Sequence, residues 1–254
     1  MSSARYVYAI LPRDAHPPAG LTGWGGTPLT TVTWCDLAAM TSAVSPGEPQ
    51  PTPDNVLRHA AIVERLREVG PILPVRFGTV LRDGDAVKEA LAQRYHVLVA
   101  DLERLGSKIE LGLTVLWDPP DVTSEGVASA SERHAGSGDG TRYLQARLAE
   151  QRREAVLRRK AGKVVRELET ALDPHALEQH STILPTPRLL LRAAYLVDPA
   201  RIGSFQDTLG TLRANHPELR FLLSGPWPPY SFVSQPSEAD QVHPTRRGRR
   251  AEPM

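Results

Sequence analysis

A single cysteine, Cys35, occurs in 254 residues, so no disulfide can form within the chain and no multi-cysteine metal site is available. Its setting in a strand-like run suggests a small core residue. Long hydrophobic runs are missing too, and none approaches the roughly 20 residues that a spanning helix needs. Residues 1–5 lead into a short strand without the apolar region of a signal peptide, and a cytoplasmic location is expected. Charge of one sign is scarce: 30 Lys and Arg stand against 29 Asp and Glu, a formal net charge of +1, with no general pull toward nucleic acid or anionic membranes. Local chemical motifs are scarce as well. No two of the eight histidines are three or four apart, the spacing that brings two imidazoles to one metal on a helix. Gly23-Trp24-Gly25-Gly26 lacks both the Gly-x-Gly-x-x-Gly spacing and a following Gly-Lys-Ser/Thr, and reads as a flexible loop. Asp83 and Asp85 read as a turn, with Asp85 capping the next helix. The expectation is a protein without cofactor or metal, and not an enzyme.

Proline, by contrast, is abundant. Three prolines, Pro226, Pro228 and Pro229, fall within four positions near the end of the patterned part of the chain. Each restricts φ and removes a backbone donor, so residues 225–233 must form an extended ribbon that holds Trp227, Tyr230 and Phe232 in a set order. Two readings follow. The ribbon is a strap whose aromatics cover a core edge, or a rigid docking surface for another protein.

The remaining pattern is mixed. Residues 6–11 and 31–35 read as strands, Asp36 as the cap of a short helix to about residue 43, and 54–69 as an amphipathic helix burying Ile62, Leu66 and Val69. Prolines limit residues 72–75 to an edge or irregular strand. Beside them Arg76 is either a bidentate ligand for carboxylate or phosphate or a structurally paired arginine. A helix over 86–105 and an alternating strand over 108–117 complete an N-terminal α+β domain of ferredoxin-like type, residues 1–117. Residues 118–140, without periodicity, read as a linker.

A C-terminal α+β domain over 141–234 opens with a long basic helix, residues 141–172, about 48 Å if straight. Leu144, Leu148 and Ala155 share one of its faces, whereas Leu157, Val164, Leu168 and Leu172 lie roughly opposite. Its cations are either a solvated face or a surface for an acidic partner. The apolar strand 189–197, a helix and the strand 219–223 form a βαβ unit with parallel strands. Residues 235–254, with Arg246-Arg247-Gly248-Arg249-Arg250, read as a disordered basic tail.

The string SGPWPPYSFV at 224–233 resembles the C-terminal signature of the gas vesicle F/L family. RYVYAI at 5–10, PILPVRFGTV at 71–80, GTRYL at 140–144 and the strand 189–197 follow that family's order. The resemblance implies a cytoplasmic accessory protein of gas vesicle formation, binding the small, hydrophobic major shell protein and having other gas vesicle accessory proteins as further partners, but neither nucleic acid nor membrane. Trp227, Tyr230 and Phe232 are the first candidate contact or strap residues, and Arg76 and Phe77 the second. A minor structural component of the vesicle wall and a small-molecule or nucleotide enzyme on a ferredoxin-like scaffold are the alternatives.

Overall fold

The computed structural model describes residues 3–45, 49–117, 139–183 and 189–235. It divides into two compact units, one of Met1–Gly106 with the segment from Phe232 onward, the other of Ser107–Ser231. Both are α+β. The linker expected at 118–140 and the tail expected at 235–254 lie outside the described residues, apart from a helix start at Asp139 and the single residue Gln235.

In the first unit, β1 (Ala4–Pro12), β2 (Thr30–Trp34), β3 (Leu37–Val44) and β4 (Leu73–Pro74) form an antiparallel sheet of order β2-β3-β1-β4, and β5 (Val80–Leu81) also pairs with β1. The segment after Asp36 is therefore a strand and not the short helix expected there. Cys35, at φ 48°, and Asp36 form the turn between the paired residues Trp34 and Leu37. Cys35 is exposed on that turn, not in the core. Every residue from Leu37 to Ser42 is buried, so both faces of β3 are covered and the alternation that marks a half-exposed strand is missing.

Helix α1 (Pro53–Arg67) buries His59, Ile62, Val63 and Leu66, and its cap is Thr52, whose hydroxyl accepts from the Asn55 N–H. It stops short of Val69, which is exposed rather than on the buried face. The stretch 86–105 forms two helices, α2 (Gly84–Gln93) and α3 (Tyr95–Leu105), broken at Arg94. The cap is Asp83, accepting from the Ala86 N–H at 2.8 Å, not Asp85.

In the second unit β6 (Ile109–Trp117), α4 (Asp139–Leu172), β7 (Glu178–Ile183), β8 (Leu189–Val197), α5 (Ile202–Asn215) and β9 (Leu219–Trp227) follow one another. The antiparallel sheet runs β7-β8-β6-β9, which with this βαββαβ succession is the ferredoxin-like arrangement. The first unit has the same strand order, with the loop over residues 13–29 where the second has α4. Two expectations change here. The strand at 109–117 is central to the second sheet and not part of the first, because alternation reports a covered face without saying which sheet supplies the cover. β8 and β9 run parallel to each other as expected, but β6 lies between them. β7, EQHSTI, was not expected: it is an edge strand with one strongly apolar residue, too little for a periodic signal. Val165, Leu168 and Leu172 of α4, with Phe205, Leu209 and Leu212 of α5, cover one face of this sheet.

Candidate functional site

The aromatic ribbon separates into an exposed and a buried end. Trp227 ends β9 with 48% of its surface exposed, Pro228 and Pro229 are buried, Tyr230 is half-buried, and Phe232 keeps only 3% of its surface. β9 carries an irregularity where its register with β6 shifts between Ser224 and Trp227, and this point needs glycine. Gly225 has φ 109°, and a Cβ there would come within 2.7 Å of the Glu110 carbonyl.

Two carboxylates that sequence reasoning missed grip the ribbon through serines. In the second unit Glu110 accepts from the Ser231 N–H at 2.8 Å and from its hydroxyl at 2.7 Å. In the first, buried Asp101 accepts from the Ser234 N–H at 2.8 Å and its hydroxyl at 3.0 Å. Arg104 donates both to Asp101, at 2.7 Å, and to the Phe232 carbonyl, at 2.9 Å. Each clamp uses a charged acceptor for a backbone donor and a hydroxyl together, which makes its bonds stronger than neutral ones. A carboxylate on a helix or strand and a serine far along the chain give no local pattern, so neither clamp could be found by spacing.

Arg76 and Phe77 have different surroundings although they are neighbours. Arg76 is exposed, makes no ion pair among the described residues, and contributes its carbonyl to a turn that Thr79 closes at 2.8 Å. Phe77 meets the ring of His59 edge-on at 5.8 Å and that of Tyr6 at 6.3 Å. These rings belong to an internal network. The Val75 carbonyl, 3.0 Å from His59 Nε2, can only accept, so Nε2 carries the proton and Nδ1 accepts from the Tyr6 hydroxyl at 2.8 Å. The Gly78 N–H donates to the Tyr6 oxygen. Burial holds His59 below the ordinary histidine range and pushes Tyr6 up to about 12. The Gly-Trp-Gly-Gly loop is tied to the same network rather than free: the Trp24 N–H donates to the Tyr8 hydroxyl at 2.7 Å, and a Cβ on Gly23 would lie 2.5 Å from that of Ser42.

The face of the second sheet opposite α4 and α5 carries a trough of about 480 Å³. Register explains it, since residues paired across antiparallel strands share a face. One row reads His180, Ala194, Gly112, Ser224, and its small side chains form the floor. A Cβ on Gly112 would meet the Ser224 hydroxyl at 2.7 Å, so the floor is as deep as the backbone allows. The next row, Thr182, Arg192, Thr114, Leu222, makes one bank, and Leu222 is 56% exposed. Glu110 and its register partner Trp227 stand on the other side. This surface joins hydroxyls, a cation, a carboxylate and two exposed apolar side chains along β9, an edge strand.

A family model described as gas vesicle synthesis protein GvpL/GvpF matches residues 4–234. The chain belongs to this family. It is 32% identical to gas vesicle protein L of Streptomyces sp. (strain CB03234), covering 97% of this chain and 98% of that one. Gas vesicle protein F of the same strain is 29% identical, covering 90% and 98%. The crystal structure of GvpF from Anabaena sp. PCC7120 superposes with a TM-score of 0.76 at 16% identity, over 93% of this chain and all of that one, which shows a shared fold. As a GvpL/GvpF protein the chain takes part in gas vesicle formation. Among the described residues of this GvpL/GvpF chain, no helix is long and apolar enough to cross a membrane, and no three His, Cys, Asp or Glu side chains converge on a metal-sized site. The chemistry of its trough and edge strand suits binding through mixed polar and apolar contacts.

Proposed function

We propose that this GvpL/GvpF protein is a non-catalytic assembly factor of the cytoplasm that binds the hydrophobic major shell protein during gas vesicle formation, with other accessory proteins as further partners. The observation that supports this reading is the exposure of Leu222 and Trp227 along the edge strand β9, beside the trough. An unpolymerised shell subunit presents apolar segments and unpaired strand edges. β9 offers backbone groups for added-strand pairing, and Trp227, held at the start of a proline ribbon, loses little entropy when covered. In this reading Trp227 is the contact and Phe232 the anchor that holds the ribbon. Tyr230 lies between the two, and Arg76 is a second contact on the surface while Phe77 supports it from within.

The test is co-expression with the major shell protein, followed by pull-down and size-exclusion chromatography. Leu222→Asp and Trp227→Ala should each lower the recovered soluble complex about tenfold, the effect of losing a central anchor, and leave the melting temperature unchanged. Phe232→Ala should instead destabilise the fold by about 3–5 kcal/mol. Absence of a complex with the native chain, or full recovery with both surface variants, rejects the reading.

A further inference from the structure

Helix α4 carries a second surface, distinct from the trough and from β9. Counting 100° per residue, Leu144, Leu148 and Ala155 fall within about 40° of one another. Gln151 completes a four-three-four spacing, which is the narrow seam of a coiled coil. Leu144 and Leu148 are 60% and 52% exposed, and Gln151 and Ala155 are exposed as well. The side chains that dock this helix on the sheet, Val165, Leu168 and Leu172, centre on a direction about 100° away from the middle of the seam. The seam is therefore not a continuation of the core face, and no part of the described structure covers it.

Its flanks identify the occupant. Arg152, Arg159 and Lys163 are exposed beside the seam, and residues 139–163 hold eight Lys or Arg against three Asp or Glu. A second copy would bring like charges together across the flanking positions, which disfavours self-pairing. A helix that lies in a membrane surface needs a broad apolar face with bulky anchors, and this seam is one leucine wide. Nucleic acid would use the cations and leave the leucines unused. We propose that α4 docks an acidic amphipathic helix of a partner protein, with leucine-type residues meeting Leu144 and Leu148 and carboxylates meeting the flanking cations. The proposal does not depend on shell-protein binding, since it uses none of the same residues.

The experiment uses the full chain and two fluorescent peptides of about four heptads, with Leu at a and d and either Glu or Lys at e and g. Like charges keep each peptide from pairing with itself. By fluorescence anisotropy in about 0.1 M salt, the Glu peptide should bind at least about tenfold more tightly than the Lys peptide, and about 0.5 M salt should reduce the difference. Leu144→Asp with Leu148→Asp should weaken binding about tenfold or more at an unchanged melting temperature. Arg152→Glu with Arg159→Glu should move the preference toward the Lys peptide. Equal binding of the two peptides, or no response to the leucine pair, overturns the proposal. So does a native dimer in sedimentation equilibrium that the leucine variant dissociates, or binding to phosphatidylglycerol vesicles that the same variant abolishes.

Discussion

His59 uses both ring nitrogens inside the first unit, donating to the Val75 carbonyl and accepting from the Tyr6 hydroxyl. A proton added at Nδ1 would face a hydroxyl that must then reverse its own bond, in a site where burial already opposes charge. The folded-state pKa is therefore lower than the unfolded value of about 6.5. The stability that neutral His59 contributes is present above that value and is lost as pH falls through it toward the folded pKa. His216 has the opposite sign. Its pairing with Glu218 and Glu167 raises its pKa, so its contribution is present at low pH and lost as pH rises through the folded value. Denaturant titrations between about pH 5 and 8 should therefore contain a His59 contribution that falls on the acid side and a His216 contribution that falls on the alkaline side. His59→Gln, less stable throughout, should show a flatter acid slope; an unchanged slope would assign the acid loss to other groups. The residue scale was only partly legible. Phe77 was singled out by motif, but its ring partners Tyr6 and His59 lie about seventy and eighteen positions away, and only folding joins them.

At the scale of elements, the β2–β3 turn holds its main tension at Cys35. A non-glycine residue at φ 48° is in the left-handed region, where Cβ crowds the backbone at a cost of about 1–2 kcal/mol. Cys35 is exposed, so little packing opposes its replacement. Cys35→Gly should raise stability in chemical denaturation by up to about 1 kcal/mol, and Cys35→Val should lower it. A stabilising effect of valine would mean that the turn relaxes at no cost. The same turn shows why β3 escaped detection. Asp36 followed by Leu37 looks like a cap before an apolar run, and a strand buried on both faces has no alternation to set against that appearance. Helix α4 was legible in length, in the exposure of Leu144, Leu148 and Ala155 and in the burial of Leu168 and Leu172, because a 34-residue helix repeats its pattern often enough to be read; the side chain of Leu157 lies outside the described ones, and the buried Val165 stands beside the expected Val164.

At the scale of the whole molecule, the chain leaves the first unit after Gly106 and returns to it at Phe232. The returning segment supplies Phe232, which is buried, and Ser234, which fills the Asp101 carboxylate. A chain ended at Ser231 should therefore weaken the first unit while leaving the core of the second intact. Calorimetry should show one transition moved to lower temperature and one retained. Two unchanged transitions would mean that the returning segment contributes nothing. By itself the sequence determined the α+β class, the extended proline ribbon, most helices and the family resemblance, because backbone restriction and side-chain periodicity act over a few neighbouring residues. Tertiary structure alone decided that β6 belongs to the second sheet, that Trp227 is exposed while Phe232 is buried, and that Gly112, Ala194 and Ser224 from three strands floor one trough. Each depends on strand pairing and burial between residues far apart in the chain, and local pattern specifies a covered face without naming its cover.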